Sequence, residues 1–185
     1  VTGGLGFIGS NFILFLKQKY PDYSIVNIDA KLFGSNLKNL TSIENSSNYE
    51  FVSGNIVEKN SIEKYLENID GVINFAAESH VDRSISDSRP FLESNIMGVY
   101  TLLDSIRIKN KQCRFIQIST DEVFGSIDSG FSKESDAFSP SNPYSASKAS
   151  AEMICQSYFK TYGLDIVTTR CTNNFGPRQI PEKII

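Results

Sequence analysis

An α/β fold, wound on both faces of a parallel sheet, is what this sequence predicts. Three observations carry the prediction. Short apolar runs suited to buried strands alternate with stretches of helical period, and such alternation calls for parallel strands joined by helical crossovers. Glycines at 3, 6 and 9, in G-G-L-G-F-I-G, open the first helical stretch. An acid, Asp29, closes the next strand 20 residues beyond Gly9.

Taken in order, Val1-Thr2 reads as the tail of a first strand, most of it missing. Phe7, Ile8, Phe12, Ile13 and Leu16 then give a helix its apolar stripe. Glycines at Gly3, Gly6 and Gly9 allow a tight turn and close backbone approach, and the helix start offers N–H groups to a pyrophosphate. The second strand is 24–28. Asp29 stands where an acid hydrogen-bonds an adenosine ribose, and its charge would repel a 2′-phosphate, which favours NAD over NADP. Lys31 works slightly against that preference. Residues 32–48 read as a surface loop or short helix, 49–53 as a third strand, and 61–67 as a helix capped by Ser61. A central strand, 71–75, leads into Ala76-Ala77-Glu78-Ser79-His80. Small alanines there let a flat ligand lie on the backbone, although they serve equally as core filler. On the residues alone, His80 reads better as a structural histidine.

Apolar residues at 92, 96, 99, 102, 103 and 106 predict one helix over 91–109. The fifth strand is 113–118, and 127–143, with Pro140 and Pro143, reads as a loop over the site. A helix follows over 144–162 and ends at Gly163. The sixth strand, 166–170, runs into T-N-N-F-G-P at 172–177.

The chemistry concentrates after the fifth strand, in S-T-D-E-V-F-G at 119–125. Neighbouring side chains in a strand face opposite ways, so Asp121 and Glu122 can share a pocket only beyond the ladder. In open α/β sheets that carboxyl end is where ligands bind. Tyr144 and Lys148, four residues apart, lie on one helix face. A phenol and an ammonium beside two carboxylates suit a site that moves several protons, whereas a solvated acidic turn is the ordinary fate of such a pair.

Composition narrows the rest. With 185 residues, 40% of them hydrophobic, the chain can bury one sizeable core. A formal charge of −3 gives no footprint for nucleic acid, and no apolar stretch approaches a membrane span. Cys113, Cys155 and Cys171 form no C-x-x-C pair and read as reduced thiols of a cytoplasmic protein. With His80 the sole histidine, no metal site is expected. Both ends look cut, as in a piece of a longer chain.

The glycine loop, Asp29, Thr120 and Y-x-x-x-K together resemble the extended short-chain dehydrogenase/reductase superfamily. A-A-E-S-H-V-D-R-S at 76–84, S-T-D-E-V-F-G at 119–125, Y-S-A-S-K-A at 144–149, N-N-F-G-P at 173–177 and P-E-K-I-I at 181–185 narrow the likeness. They resemble the nucleotide-sugar 4,6-dehydratases, nearest to those acting on dTDP-glucose. Asp121-Glu122 is the diagnostic part, since the related 4-epimerases lack that pair. Asn55 stands where the family usually has Asp, Phe124 where it has Tyr, and Lys31-Leu32 where it has Leu-Thr.

The resemblance implies a Rossmann-like NAD-binding domain over 1–185 that carries the catalytic residues, in a longer two-lobed chain whose C-terminal substrate lobe is largely absent. It implies that Tyr144 takes the C4 hydroxyl proton, with Lys148 lowering the phenol's pKa and Thr120 fixing the oxygen. Glu122 then takes the C5 proton and Asp121 protonates the departing C6 hydroxyl. That role requires Asp121 to hold a proton at neutral pH, which burial beside an ionised Glu122 would favour. Phe7, Ile8, Asn55, Ile56, Ala76, Ala77, Ser79, Ser94 and Asn174 would line NAD, and His80, Thr120 and Asn173 the nucleotide sugar. Apolar outer positions Val99, Met153 and Phe159 would join two copies in a helix bundle. A UDP-glucose 4,6-dehydratase, a nucleotide-sugar 4-epimerase or decarboxylase, and a non-catalytic NAD-binding protein are the competing readings.

Overall fold

The structure, a computed structural model, describes residues 1–127 and 129–181, so 182–185 of the P-E-K-I-I stretch lie outside it. Five parallel strands form its centre: β1 (Ile25–Asp29), β2 (Tyr49–Ser53), β3 (Gly71–Asn74), β4 (Arg114–Thr120) and β5 (Ile166–Cys171). Thr2 bridges Ile28 on one side and Asn74 on the other, giving the spatial order β2-β1-Thr2-β3-β4-β5. Its amide donates to Ile73 O at 3.0 Å, and Gly3 N donates to Ile28 O at 2.9 Å. The strand order reverses at Thr2, so the glycine turn leaves the sheet at its switch point. Thr2 Oγ1 donates to Asn74 Oδ1 (2.5 Å), and the Asn74 amide donates to Gln117 Oε1 (2.9 Å). This buried polar rung fixes the register of three neighbours, because a slipped strand would leave its groups unpaired.

Helices cover both faces. One core gathers Ile28, Val72 and Phe115 from the sheet with Val99, Leu102, Leu103 and Ile106 of α5 (Gly98–Lys109) and Cys155 and Tyr158 of α6 (Pro143–Tyr162). A smaller core holds Leu5, Ile25 and Leu40 with Ile13 of α1 (Phe7–Lys19). This is the doubly wound, Rossmann-like α/β architecture predicted. Among the described residues no helix is long and apolar enough to cross a membrane. The three cysteines are unpaired, Cys113 and Cys155 buried and Cys171 partly so.

Several local expectations are corrected. The helix after β2 is a short α2 (Lys59–Ile62) followed by a 3-10 turn, Glu63–Tyr65. Ser61 does not cap it, because its hydroxyl donates to Asn55 O (2.7 Å) and Glu58 O (2.8 Å). An unexpected helix, α3 (Val81–Ser86), follows His80. The stretch predicted as one helix over 91–109 is α4 (Arg89–Leu92), a π-helical turn Glu93–Met97, and α5. Val99 is fully buried, since it shares the 99, 102, 103, 106 stripe that faces the sheet, and so it cannot meet a second copy. Met153 and Phe159 are exposed (61% and 57%), as the bundle requires.

Candidate active site

The site begins at the glycine turn. Gly3 has φ +68°, and a Cβ there would lie 2.5 Å from Ala76 N, so only glycine permits this contact between turn and sheet end. At Gly9 a Cβ would lie 2.4 Å from Gly3 O, which packs α1 directly on the turn. At the end of β1, Asp29 is buried and accepts from Leu5 N (3.0 Å), Lys31 N (2.8 Å) and Ser35 Oγ (2.7 Å). A carboxylate has about four acceptor sites, so one remains for a ligand hydroxyl.

From this turn a cleft of about 280 Å³ runs along the carboxyl ends of the strands. Gly3, Gly6, Phe7, Ile8, Gly9, Asp29, Asn55, Ile56, Ala76, Ala77, Ser79 and Ser94 all border it, and so do Thr120, Glu122, Tyr144, Lys148, Asn173 and Asn174. Two expected residues do not. His80 borders a smaller adjoining hollow with Phe33 and Arg83. Its φ is +119°, strained for a residue with a side chain, and its buried Nδ1 has no hydrogen-bond partner among the described residues.

Asp121 is the second, and here the expectation is corrected. Thr120 ends β4 and caps a 3-10 turn, Asp121–Phe124, accepting from Glu122 N at 3.3 Å. Successive residues of such a turn diverge by about 120°. Glu122 therefore enters the cleft half-buried while Asp121 is exposed, its Oδ1 accepting from Thr120 Oγ1 at 3.3 Å. The described residues leave Asp121 exposed.

Tyr144 and Lys148 sit on α6, whose start is fixed by a capping box: Asn142 Oδ1 accepts from Ser145 N (2.8 Å) and Ser145 Oγ accepts from Asn142 N (3.2 Å). Gly163 ends the helix with φ +69°, as predicted. The tyrosine departs from expectation in charge. Burial and then the neighbouring Glu122 push its phenol above the ordinary value, and the nearby Thr120 hydroxyl offsets part of this. The Lys148 ammonium donates to Ile118 O at 2.6 Å. Burial lowers the Lys148 pKa to about 8.

A family model described as GDP-mannose 4,6 dehydratase matches residues 1–185, the full length of the chain. The chain belongs to that family. It is 46% identical over 185 residues to a low-salt glycan biosynthesis protein of Haloferax volcanii, and 43% identical over 190 residues to a dTDP-glucose 4,6-dehydratase of an Actinoplanes species. All of this chain is covered in both comparisons, and 59% of each relative. Among solved structures, the dTDP-glucose 4,6-dehydratase DesIV of Streptomyces venezuelae, crystallised with NAD, superposes with a TM-score of 0.95 at 42% identity. That match covers the whole of this chain and 58% of the other.

This family member also holds a buried asparagine that sequence reasoning missed. Asn95, in the π-helical turn, accepts from Glu78 N (2.8 Å) and donates to Glu78 O (3.0 Å) and Ser147 Oγ (2.9 Å). It ties the Ala76–Ser79 wall of the cleft to α6. A π turn rotates the facing of every later residue in its helix, and such turns are frequent at functional sites. No helical period announces it.

The Lys148 shift has a measurable sign. Its pKa is about 8 in the fold against 10.5 unperturbed, so below pH 8 both states are charged and the burial cost is fully present. Between those two values the unfolded chain binds more protons, and stability rises with pH. Thermal melts of wild type and Lys148→Met should show the wild type gaining on the variant across that window. A constant gap would place the ammonium in solvent.

Proposed function

We propose that the full-length protein is an NAD-dependent nucleotide-sugar 4,6-dehydratase that converts dTDP-glucose to its 4-keto-6-deoxy derivative. One observation carries the reading: Thr120, Glu122, Tyr144 and Lys148 border the same cleft as the glycine turn and Asp29. The residues fit NAD, for the glycine turn and Asp29 open on one cleft, and Asp29 keeps one acceptor site for a ribose hydroxyl. When bound, NAD would oxidise the sugar at C4 and later reduce C6, ending each cycle unchanged. Tyr144 removes the C4 hydroxyl proton, and its phenol, raised by burial, needs nearby positive charge to ionise. Thr120, which borders the cleft with that phenol, holds the sugar oxygen in place. Glu122, inside the cleft, takes the C5 proton that the 4-ketone has acidified. Asp121 protonates the leaving C6 hydroxyl. Because Asp121 is exposed in this chain, the seated nucleotide sugar and the further substrate lobe would supply its burial.

The chain spans 59% of the length of the relatives it matches, so the test uses the full-length protein. Incubated separately with dTDP-glucose and UDP-glucose, it should yield a base-absorbing 4-keto-6-deoxy sugar, faster from the dTDP substrate. An epimer as product would favour the 4-epimerase reading, and faster turnover of UDP-glucose would reassign the nucleotide. Exposed Met153 and Phe159 on α6, with Tyr100 and Ile108 on α5, support a homodimer through these helices. A monomeric mass at micromolar concentration would contradict that pairing.

A further inference from the structure

Outside the cleft, α6 carries a carboxylate that the reaction does not use. Glu152 lies one turn beyond Lys148 and is 1% exposed. Arg170 of β5 reaches it with Nε at 3.1 and 3.0 Å from the two carboxylate oxygens and Nη2 at 2.7 Å from Oε2. Adjacent strand residues face opposite sides, so Arg170 points away from the cleft that its neighbour Cys171 borders. A buried ion pair is weak evidence for stability, because desolvation offsets most of the attraction. The role of this pair is visible on the free side of the guanidinium. Its carbon lies 5.0 Å from the centroid of the Phe124 ring and 5.3 Å from that of Phe138.

Phe124 is the last residue of the Asp121–Phe124 turn, and Phe138 belongs to the loop that crosses it. The two rings are 6.1 Å apart. Beside them Ser139 N donates to Val123 O at 3.0 Å, and Gly125, at φ +78°, admits Ser139 O where a Cβ would collide with it. Arg170 Nη1 also donates to Glu134 O at 3.4 Å. The guanidinium is thus a flat shelf, pinned from behind by Glu152, on which turn and loop both rest.

We propose that the Glu152–Arg170 pair positions the Asp121-Glu122 turn for water elimination, as a positioning device that touches neither sugar nor cofactor. The inference rests on the dehydratase reading and adds to it a reason for the fixed aim of Glu122. The shelf meets the turn directly through Phe124, whereas on α6 it holds Glu152, two turns beyond Tyr144, whose end of the helix is fixed by the capping box.

The test is single-turnover kinetics of the full-length protein with dTDP-glucose, comparing wild type with Phe138→Ala and Arg170→Lys. Phe138→Ala removes half the load on the shelf without touching the ion pair. Arg170→Lys keeps the charge and loses the planar fork. In both, C4 oxidation, read from reduced-nicotinamide absorbance, should stay within about twofold of wild type while elimination slows roughly ten- to a hundredfold, as misplacement on the order of 1 Å does. Reduced cofactor should then accumulate. Equal slowing of both steps, or no change in folded Phe138→Ala, overturns the proposal while leaving the dehydratase reading intact. A wild-type protein that forms no 4-keto-6-deoxy product overturns the parent reading instead.

Discussion

Tyr144→Phe should slow C4 oxidation by roughly 10²–10⁴-fold, the usual worth of a positioned acid–base group. At about 1.4 kcal/mol per tenfold, that is about 3–6 kcal/mol of transition-state stabilisation removed with one oxygen. The fold should not share the loss. The Tyr144 ring meets Phe91 edge-on, with centroids 6.3 Å apart, and phenylalanine keeps that contact. Its backbone amide still donates to Ser84 Oγ at 3.1 Å. The phenol is held above its ordinary pKa by burial and by Glu122. Kinetics of C4 oxidation alongside bound-NAD content check this: the rate falls while the NAD content stays. A variant that retains wild-type oxidation would remove Tyr144 from the reaction.

Asp121→Asn should divide the reaction at its middle. C4 oxidation survives within about twofold, while elimination falls by on the order of 10²–10⁴, the same acid–base scale. Stability should move by no more than about 0.5 kcal/mol, because the side chain is exposed and, among the described residues, its one hydrogen bond is the 3.3 Å contact from Thr120. That separation is informative, since a residue of no structural weight then carries one chemical step. Quenched single turnovers, analysed for the 4-keto-glucose intermediate and the dehydrated product, read both rates. Elimination at an unchanged rate would assign the proton to another donor.

The features legible in the sequence are local or periodic. Gly3, Gly6 and Gly9 with Asp29 announce a dinucleotide turn because tight turns and strand-end acids sit at fixed offsets. The apolar alternation announces the sheet for the same reason. Tyr144 and Lys148 fall on one face because helical spacing alone dictates it. The rest depends on facts that spacing does not encode. Asp121 and Glu122 part company because β4 runs on through Thr120 into a 3-10 turn, two residues later than its apolar run suggests. Val99 reads as an outer position in the sequence because an exposed and a buried stripe share one period. Asn95 enters the site through a π turn, which breaks that period. Glu152 and Arg170, 18 residues apart, meet only because α6 folds back over β5. His80 acquires its strained backbone from a helix that no apolar pattern predicted.

We propose that in the full-length protein one cleft both oxidises C4 and expels water between C5 and C6, with a cofactor that ends each cycle unchanged. The most direct measurement gives the full-length protein dTDP-glucose carrying deuterium at C4 and locates the label in the product. The arrangement of Tyr144, Glu122 and the glycine turn around one cleft predicts the label at C6 of a 4-keto-6-deoxy sugar. Deuterium back at C4 of an intact hexose, or lost to solvent, would contradict it.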